Sequence, residues 1–520
     1  MNTTDFLSIT CAICPDRPAL IFDNKIYSFS QLNERSNRLA NALPKLGVKR
    51  GDRVTTLQVN CNQSIETYFA VAKMGAIYIP LNFRARGDEL TYMLNNAEAV
   101  VLLVGDRYVD LVNSVKPKLT TVKHYISLES KQPGMLYYED LLASAPADDV
   151  AVDLNEDDTT ILMYTAGTTG FPKGVMLPHK SFTVYVLENV TPADPAIEER
   201  NILTVPLYHV AGIQAVMAAI YGGRTVILER QFAADEWMEL VEKYKATRAM
   251  MVPTMLKQLM DHPDFKKHDL SSLKVITYGA APMPLEVIKR ALDLFPGVSF
   301  INAFGQTETA STVTMLGPED HHFTGKETPE EREKKLKRLT SIGKPMPDIE
   351  MKVVDENGKE LPLGEVGEIV ARGPRVMTGY WKDQEKTAKT IDKDGWIHTN
   401  DMGYRDEGGY FFLSGRATDM IKRGGEFISP EELEAVLHSY PKIEEAAIIA
   451  VPDIEWGEEP RAIVVLKKGQ TATAEEIMEY CRGKLASFKR PRSVVFVNEL
   501  PRNPMGKILK RVLREQYGKP

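Results

Sequence analysis

Tyr164-Thr165-Ala166-Gly167-Thr168-Thr169-Gly170-Phe171-Pro172-Lys173-Gly174 decides how the rest of the chain is read. An apolar run from Ile161 to Tyr164 leads into it and has the composition of a buried strand. Glycines let the backbone turn sharply and bring its N–H groups close to a ligand. The threonine hydroxyls add donors, and Lys173 adds a positive charge. This is the chemistry of a loop that wraps phosphates, although a flexible turn shares its local composition. It is not a Walker A loop. Lys173 follows Pro172 and precedes Gly174, so no Ser or Thr follows the lysine to hold magnesium.

On both sides of this loop, short apolar runs alternate with helical patterns. Before it come Val54–Val59, Gly75–Pro80 and Val100–Val104; after it come Ile202–Val205, Thr225–Leu228, Ala249–Val252 and Val275–Tyr278. That alternation predicts an α/β fold with a largely parallel sheet. Ala19–Phe22 and Ile26–Phe29 flank Asp23-Asn24-Lys25 and predict a hairpin, with a helix from Ser30. The segment from Pro318 to Arg338 is rich in Glu and Lys and reads as a solvated loop or exposed helix. Residues 349–415 read as β-rich, with turn signals at Asn357-Gly358, Asp394-Gly395 and Gly408-Gly409.

The character changes near Arg416. Ser429-Pro430-Glu431-Glu432 is a helix start, with Ser as the cap, Pro at the first position and Glu at the third. The runs Ala446–Val451 and Ala462–Leu466 and a helix from about Ala474 complete a compact α+β module. We therefore expect two domains, 1–417 and 418–520. The first is large, with layered α/β subdomains and a β-rich subdomain; the second is small.

Composition bounds the function. At 520 residues the chain exceeds a single core. A net charge of −7 argues against a dedicated nucleic-acid binder. No apolar run is long enough for a membrane span, and no secretory signal is visible at the N-terminus. Four cysteines make no disulfide framework, and Cys11-x-x-Cys14 lacks the partners of a zinc site. Cytoplasmic residence is the expectation; a homodimer stays open.

Other stretches carry chemistry. Asn302-Ala303-Phe304-Gly305-Gln306-Thr307-Glu308-Thr309 follows a predicted strand and joins an aromatic, a glycine and a carboxylate. Such a group suits a base to be stacked and a hard metal. Tyr278-Gly279-Ala280-Ala281-Pro282 is a small-residue turn at a strand end, where ligands bind in open α/β sheets. Thr399-Asn400-Asp401 followed by Gly415-Arg416 offers a carboxylate for ribose hydroxyls. Pro206-Leu207-Tyr208-His209, Lys422-Arg423-Gly424-Gly425, Trp456-Gly457, Phe488-Lys489-Arg490 and Pro501 to Ile508 complete the set. Taken singly, each has an ordinary structural reading.

Together, and in this order, these motifs resemble the AMP-forming adenylating superfamily: acyl-CoA synthetases, adenylation domains of peptide synthetases, and luciferases. The resemblance implies ATP and Mg²⁺ as cofactors, with coenzyme A and a carboxylic acid as co-substrates. It places Thr165, Gly167, Thr168, Thr169, Gly170 and Lys173 on the phosphates. Gly279, Ala280, Ala281, Asn302, Ala303, Phe304, Gly305, Thr307, Asp401 and Arg416 then surround the nucleotide. Phe304 stacks on adenine, Thr307 bonds the α-phosphate, and Glu308 with Thr165 holds Mg²⁺. It makes Lys507 the catalytic lysine and Thr418 the hinge, where the family usually has Asp or Lys. It gives His209, Gly212, Ile213, Tyr278, Gly279 and Thr309 to the acyl pocket, with Phe304 beside them. Gly424, Gly425, Trp456, Phe488 and Arg490 go to coenzyme A. Nine Lys or Arg against one acid between Lys484 and Arg514 suit a polyanion. The apolar pocket set implies a hydrophobic monocarboxylic acid, a fatty acid before an aromatic or alicyclic one. Loading of a carrier protein, a luciferase-type oxygenase and a non-catalytic sensor are the rival readings.

Overall fold

The computed structural model describes residues 1–520 except 151, 166–171, 417–418, 424–425, 483, 503–507 and 520, and except the side chains of 426 and 427. Two large sheets organise the N-terminal part. One runs Gly379–Tyr380, Lys173–Pro178, Thr159–Thr165, Ile77–Pro80, Arg53–Leu57, Ala99–Val104, His124–Ser127, Leu136–Tyr137 in strand order. The other runs Lys344–Pro345, Ser311–Leu316, Ser299–Gln306, Val275–Gly279, Arg248–Met251, Arg200–Leu203, Thr225–Leu228, Pro18–Phe22, Lys25–Ser28. Both are parallel in their interiors. Among the described residues the first turns antiparallel only at its Gly379–Tyr380 edge and stays parallel through Leu136–Tyr137, while the second is antiparallel at both edges.

Strand alternation builds the layers. In Thr225–Leu228, Val226 and Leu228 point into the central core, while Ile227 points to the opposite side. In Ala99–Val104, Val101 and Leu103 enter the same central core, while Leu102 and Val104 face away. With a side-chain period of two, each strand feeds two cores. The central core lies between the sheets, around the helices Phe29–Ala42, Asn62–Lys73 and Val210–Tyr221. Outer cores form under Ala234–Tyr244 and Leu285–Leu294 on one side and Gly87–Asn96 on the other. The result is five layers: helices, sheet, helices, sheet, helices.

Local expectations hold where local chemistry sets them. Asp23 and Asn24 both take positive φ, 48° and 62°, and close a two-residue hairpin whose turn hand suits the strand twist. The following helix starts at Phe29, one residue before Ser30, because Ser28 caps it reciprocally with Gln31. The Pro318–Arg338 segment carries the expected exposed helix at Pro329–Arg338, with no buried residue, but its first turn needs correction: in the helix Pro318–His321, Asp320 and His321 are buried. The Tyr410 hydroxyl donates to Asp320 at 2.8 Å, and His321 meets the Tyr278 hydroxyl. Tertiary partners thus bury two polar residues of a strongly charged stretch.

Glu350–Val354, Gly367–Arg372, Ile397–Arg405 and Phe411–Arg416 form a four-stranded antiparallel sheet, the β-rich part. The next described strand, Ile421–Arg423, belongs to a separate five-stranded sheet of the C-terminal part. There Ser429 accepts from the Glu432 N–H and caps the helix Pro430–His438. Strand Ile443–Asp453 again feeds two small cores, Ile448 to one side, Ala447 and Ile449 to the other. The architecture is mixed α/β, a large N-terminal domain with a smaller C-terminal one. No described helix is long and apolar enough to cross a membrane, and the four cysteines are free thiols.

Candidate active site

The site is built at strand ends around one continuous segment, Ser299–Gln306 and the short turn Thr307–Thr309. Close backbone approach shapes it. A side chain on Gly305 would place its Cβ 1.4 Å from the Ser311 carbonyl oxygen, and one on Gly279 would lie 2.1 Å from that of Ala303. Only glycine fits either place. Ala280 takes positive φ, 64°, directly after Gly279. Asn302 is buried and donates to the Ser341 carbonyl at 3.1 Å. Phe304 is half-buried against the central core.

From this segment Gln306 reaches one way. Its amide donates to Asp401 Oδ2 at 2.6 Å and to the Thr399 carbonyl at 2.9 Å. The other Asp401 oxygen takes the Arg416 Nε at 2.7 Å across the pair of strands Ile397–Arg405 and Phe411–Arg416. Asp401 is buried, so its charge is neutralised by a cation and an amide rather than by water. Asn400, which stands where the resembling family has Gly, takes φ of 57°. Asn tolerates this left-handed conformation, so the substitution leaves the turn intact.

Glu308 reaches the other way. Its Oε1 accepts from the Tyr380 hydroxyl at 2.9 Å, and its carbonyl accepts from the Met377 N–H. The Lys173 ammonium lies 5.6 Å from the centre of the Tyr380 ring. Burial, with the Lys386 ammonium nearby, lowers the Lys173 pKa against the opposing pull of Glu308. Burial and the Glu308 carboxylate push the Tyr380 phenol well up, so it remains a donor. Thr165 faces Lys173 in the strand register. Tyr380 and Gln306 were absent from the sequence-derived set. Close by in the chain, the Arg375 guanidinium is fully buried, pairs with both Asp348 oxygens and donates to the Thr312 carbonyl.

Gly167, Thr168, Thr169, Gly170, Thr418, Gly424, Gly425 and Lys507 lie outside the described residues. Among the rest, Thr307 and Ala281 are half-buried turn residues. Gly212 sits under the Pro206 carbonyl, 2.5 Å from where a Cβ would be. His209 has a buried Nε2 with no partner, and burial pushes its pKa down to about 4. Ile213 belongs to the central core and Thr309 is buried, its hydroxyl engaged within its own turn. Tyr278 corrects the expected pocket. It shares the face of Ile276 and packs into the outer core with Trp237 and Phe300, on the far side of the sheet from Ile213. Gly279, one residue on, takes the opposite face.

The C-terminal residues are less assembled. Trp456 is 43% exposed with the Arg423 guanidinium 4.8 Å from its ring centre. Phe488 packs against the C-terminal core, and Arg490 Nε donates to the Leu485 carbonyl at 2.9 Å. The basic surplus is also smaller than its sequence count. Lys489, Lys510, Arg502, Arg511 and Arg514 pair with Glu432, Glu434, Glu445, Glu515 and Asp419. Across the domains, Lys257 pairs with Glu444 at 2.7 Å, and the Glu431 carboxylate packs onto Gly415.

Among the described residues no group of three or more His, Cys, Asp and Glu is placed to hold a metal alone. A carboxylate such as Glu308 and a hydroxyl such as Thr165 are oxygen donors of the kind Mg²⁺ takes alongside phosphates and water.

A layered α/β domain with a carboxylate, a lysine and a buried Asp–Arg pair at its strand ends, followed by a small α+β domain, is the frame of an adenylate-forming enzyme. The AMP-binding enzyme family matches residues 8–381, and its C-terminal domain matches 432–507. The chain belongs to that family, as an AMP-forming acyl-CoA synthetase. It is 35% identical over 507 residues to a feruloyl-CoA synthase of Amycolatopsis sp, covering 97% of this chain and 96% of the relative. It is 34% identical over 528 residues to a long-chain-fatty-acid–CoA ligase of Thermus thermophilus, covering 99% and 96%. The crystal structure of an anthranilate CoA ligase in complex with anthranoyl-AMP superposes with a TM-score of 0.88 at 27% identity, covering 100% of this chain and 97% of that one.

Proposed function

We propose that this enzyme joins an apolar monocarboxylic acid to coenzyme A through an acyl-adenylate. The observation that carries the reading is the segment from Asn302 to Thr309, which touches Asp401 through Gln306 and Tyr380 through Glu308. One element thereby aligns a ribose-binding carboxylate with a phosphate-end carboxylate and lysine. The acid's carboxylate oxygen attacks the α-phosphorus of ATP, the α–β P–O bond breaks, and pyrophosphate leaves with the electron pair. The thiol sulfur of coenzyme A then attacks the acyl carbon, AMP leaves, and the thiol proton passes to solvent.

The roles follow the chemistry of the groups. Asp401, next to Arg416, receives the ribose hydroxyls. Lys173 leaves the Tyr380 ring for the phosphates. Glu308 and Thr165 would hold Mg²⁺, which would neutralise phosphate charge. Lys507 donates to the phosphoryl oxygens as charge gathers there. His209, Gly212, Ile213, Gly279 and Thr309 line the acyl side. Gly424, Gly425, Trp456, Phe488 and Arg490 serve coenzyme A after the C-terminal domain, residues 418–520, turns about Thr418. Residence is cytoplasmic.

A fatty acid is the first reading of the substrate. An aromatic acid is the second, favoured by the relative named feruloyl-CoA synthase at 35% identity. The test is product formation from ATP, Mg²⁺, coenzyme A and a panel of long-chain, aromatic and dicarboxylic acids. AMP, pyrophosphate and one class of acyl-CoA are expected. Preference for a dicarboxylate overturns the apolar pocket. Pyrophosphate release with no acylation of coenzyme A moves the enzyme to carrier loading.

A further inference from the structure

Asn60 lies just past the strand Arg53–Leu57, at the carboxyl end of one large sheet, and is buried at 3% exposure. Its partners all belong to the other sheet. The side-chain amide donates to the Glu229 carbonyl at 3.1 Å and the Val205 carbonyl at 3.3 Å, with the Thr204 carbonyl at 3.5 Å. Its Oδ1 accepts from the Leu207 N–H at 2.8 Å. Its own N–H donates to the Arg230 carbonyl at 3.3 Å. One amide side chain thus satisfies backbone groups just beyond two neighbouring strands, Arg200–Leu203 and Thr225–Leu228. These groups are buried, and without Asn60 they would be left unpaired.

The segment so held, Thr204 to Leu207, runs straight into His209. The His209 N–H returns to the Pro206 carbonyl at 3.0 Å, and the Gly212 N–H donates to the His209 carbonyl at 3.0 Å. On the other side Tyr208 meets the Phe83 ring edge-on at 5.3 Å and its own neighbour His209 at 4.4 Å. Both Asn60 and Phe83 lie just past strands of the sheet opposite His209. The loop therefore has no freedom to set its own position; the facing sheet sets it.

We infer that Asn60 is a positioning residue for the acid substrate, fixing the loop that presents His209 and Gly212 to the acyl group. The inference rests on the assignment of His209 to the acyl pocket. Asn60 touches no reacting atom; it acts through the Val205 to Leu207 backbone. Its loss displaces the acyl side of the site and leaves the nucleotide side, built on Asp401, Gln306 and Glu308, in place.

The test is a double-mutant cycle on Asn60→Ala and His209→Ala, reading KM for the acid and KM for ATP in pyrophosphate release, with circular dichroism for folding. Asn60→Ala is expected to raise the acid KM about tenfold or more with the ATP KM within about twofold, a split that uniform loosening would not give. In the His209→Ala background most of that effect is expected to vanish, since residues acting through one another are non-additive. Asn60→Asp, which keeps the acceptor for Leu207 N–H, serves if Asn60→Ala does not fold. Equal changes in both KM values, full additivity with His209→Ala, or failure of both Asn60 variants to fold overturns the inference. An unchanged acid KM in His209→Ala overturns the pocket assignment, and this inference with it; a raised one with additive Asn60→Ala overturns this inference alone.

Discussion

The proposed nucleotide side of the N-terminal domain and the proposed coenzyme A side of the C-terminal domain are prepared to different degrees. On the first, Asp401, Arg416, Gln306, Glu308 and Tyr380 are already tied to one another at hydrogen-bond distance. On the second, Arg490 is bonded to a backbone carbonyl, Phe488 is packed into its own core, and Trp456 stands exposed. Fixed dipoles and charges stabilise a transition state without reorganising at the moment of reaction. On the proposed domain turn, a surface that receives a large flexible ligand afterwards does not gain from being knit beforehand. On the proposed function the two half-reactions fall on different sides, and substitutions on the two sides are expected to separate them kinetically.

The largest effect is expected for Lys507→Ala. Acyl-adenylate formation from ATP should fall by about 10²–10³, while coenzyme A still converts supplied acyl-AMP. An equal loss in both steps breaks the separation. Tyr380→Phe keeps the ring beside Lys173 and removes only the hydroxyl that orients Glu308. It should cost about tenfold in pyrophosphate release, comparable to losing a hydrogen bond to a charged group, and nothing in thiolysis of acyl-AMP. Trp456→Ala should do the reverse, raising KM for coenzyme A several-fold, by about the worth of one lost ring stack, without changing KM for ATP. Steady-state kinetics of each half-reaction checks both.

The smallest effect concerns pH. Burial takes His209 from 6.5 to about 4, so it is neutral in the folded enzyme across the working range. The unfolded chain binds the proton first. Stability should therefore fall as pH drops from about 6.5 toward 4, and be flat with respect to this group above 6.5. Urea midpoints at pH 7 and pH 5 should differ less in His209→Ala than in the parent. An unchanged difference would mean that His209 is reached by water.

Local signals were legible in the sequence because neighbours in the chain produce them. Asp23-Asn24 closes its own hairpin, and Ser429 caps its own helix. The strand-end motifs were legible for a related reason: glycine at 279 and 305 is demanded by backbone contact, whatever else packs there. Residues whose role depends on distant partners were not. Tyr380 lies 72 positions from the Glu308 it bonds. The orientation of Tyr278 follows from which face Ile276 takes, and that is fixed by the outer core. The basic run near the C-terminus read as a polyanion site because its acids, Glu432, Glu445 and Asp419, lie 57 to 95 positions away.

The most direct test of the account is to mix the enzyme with ATP, Mg²⁺ and an acid found in the panel, without coenzyme A, and to analyse what the protein retains. The account predicts one pyrophosphate released for each acyl-AMP held, and conversion of that acyl-AMP to acyl-CoA and AMP once coenzyme A is added. Thioester formation without a prior acyl-AMP, or release of ADP and phosphate in place of AMP and pyrophosphate, would contradict it.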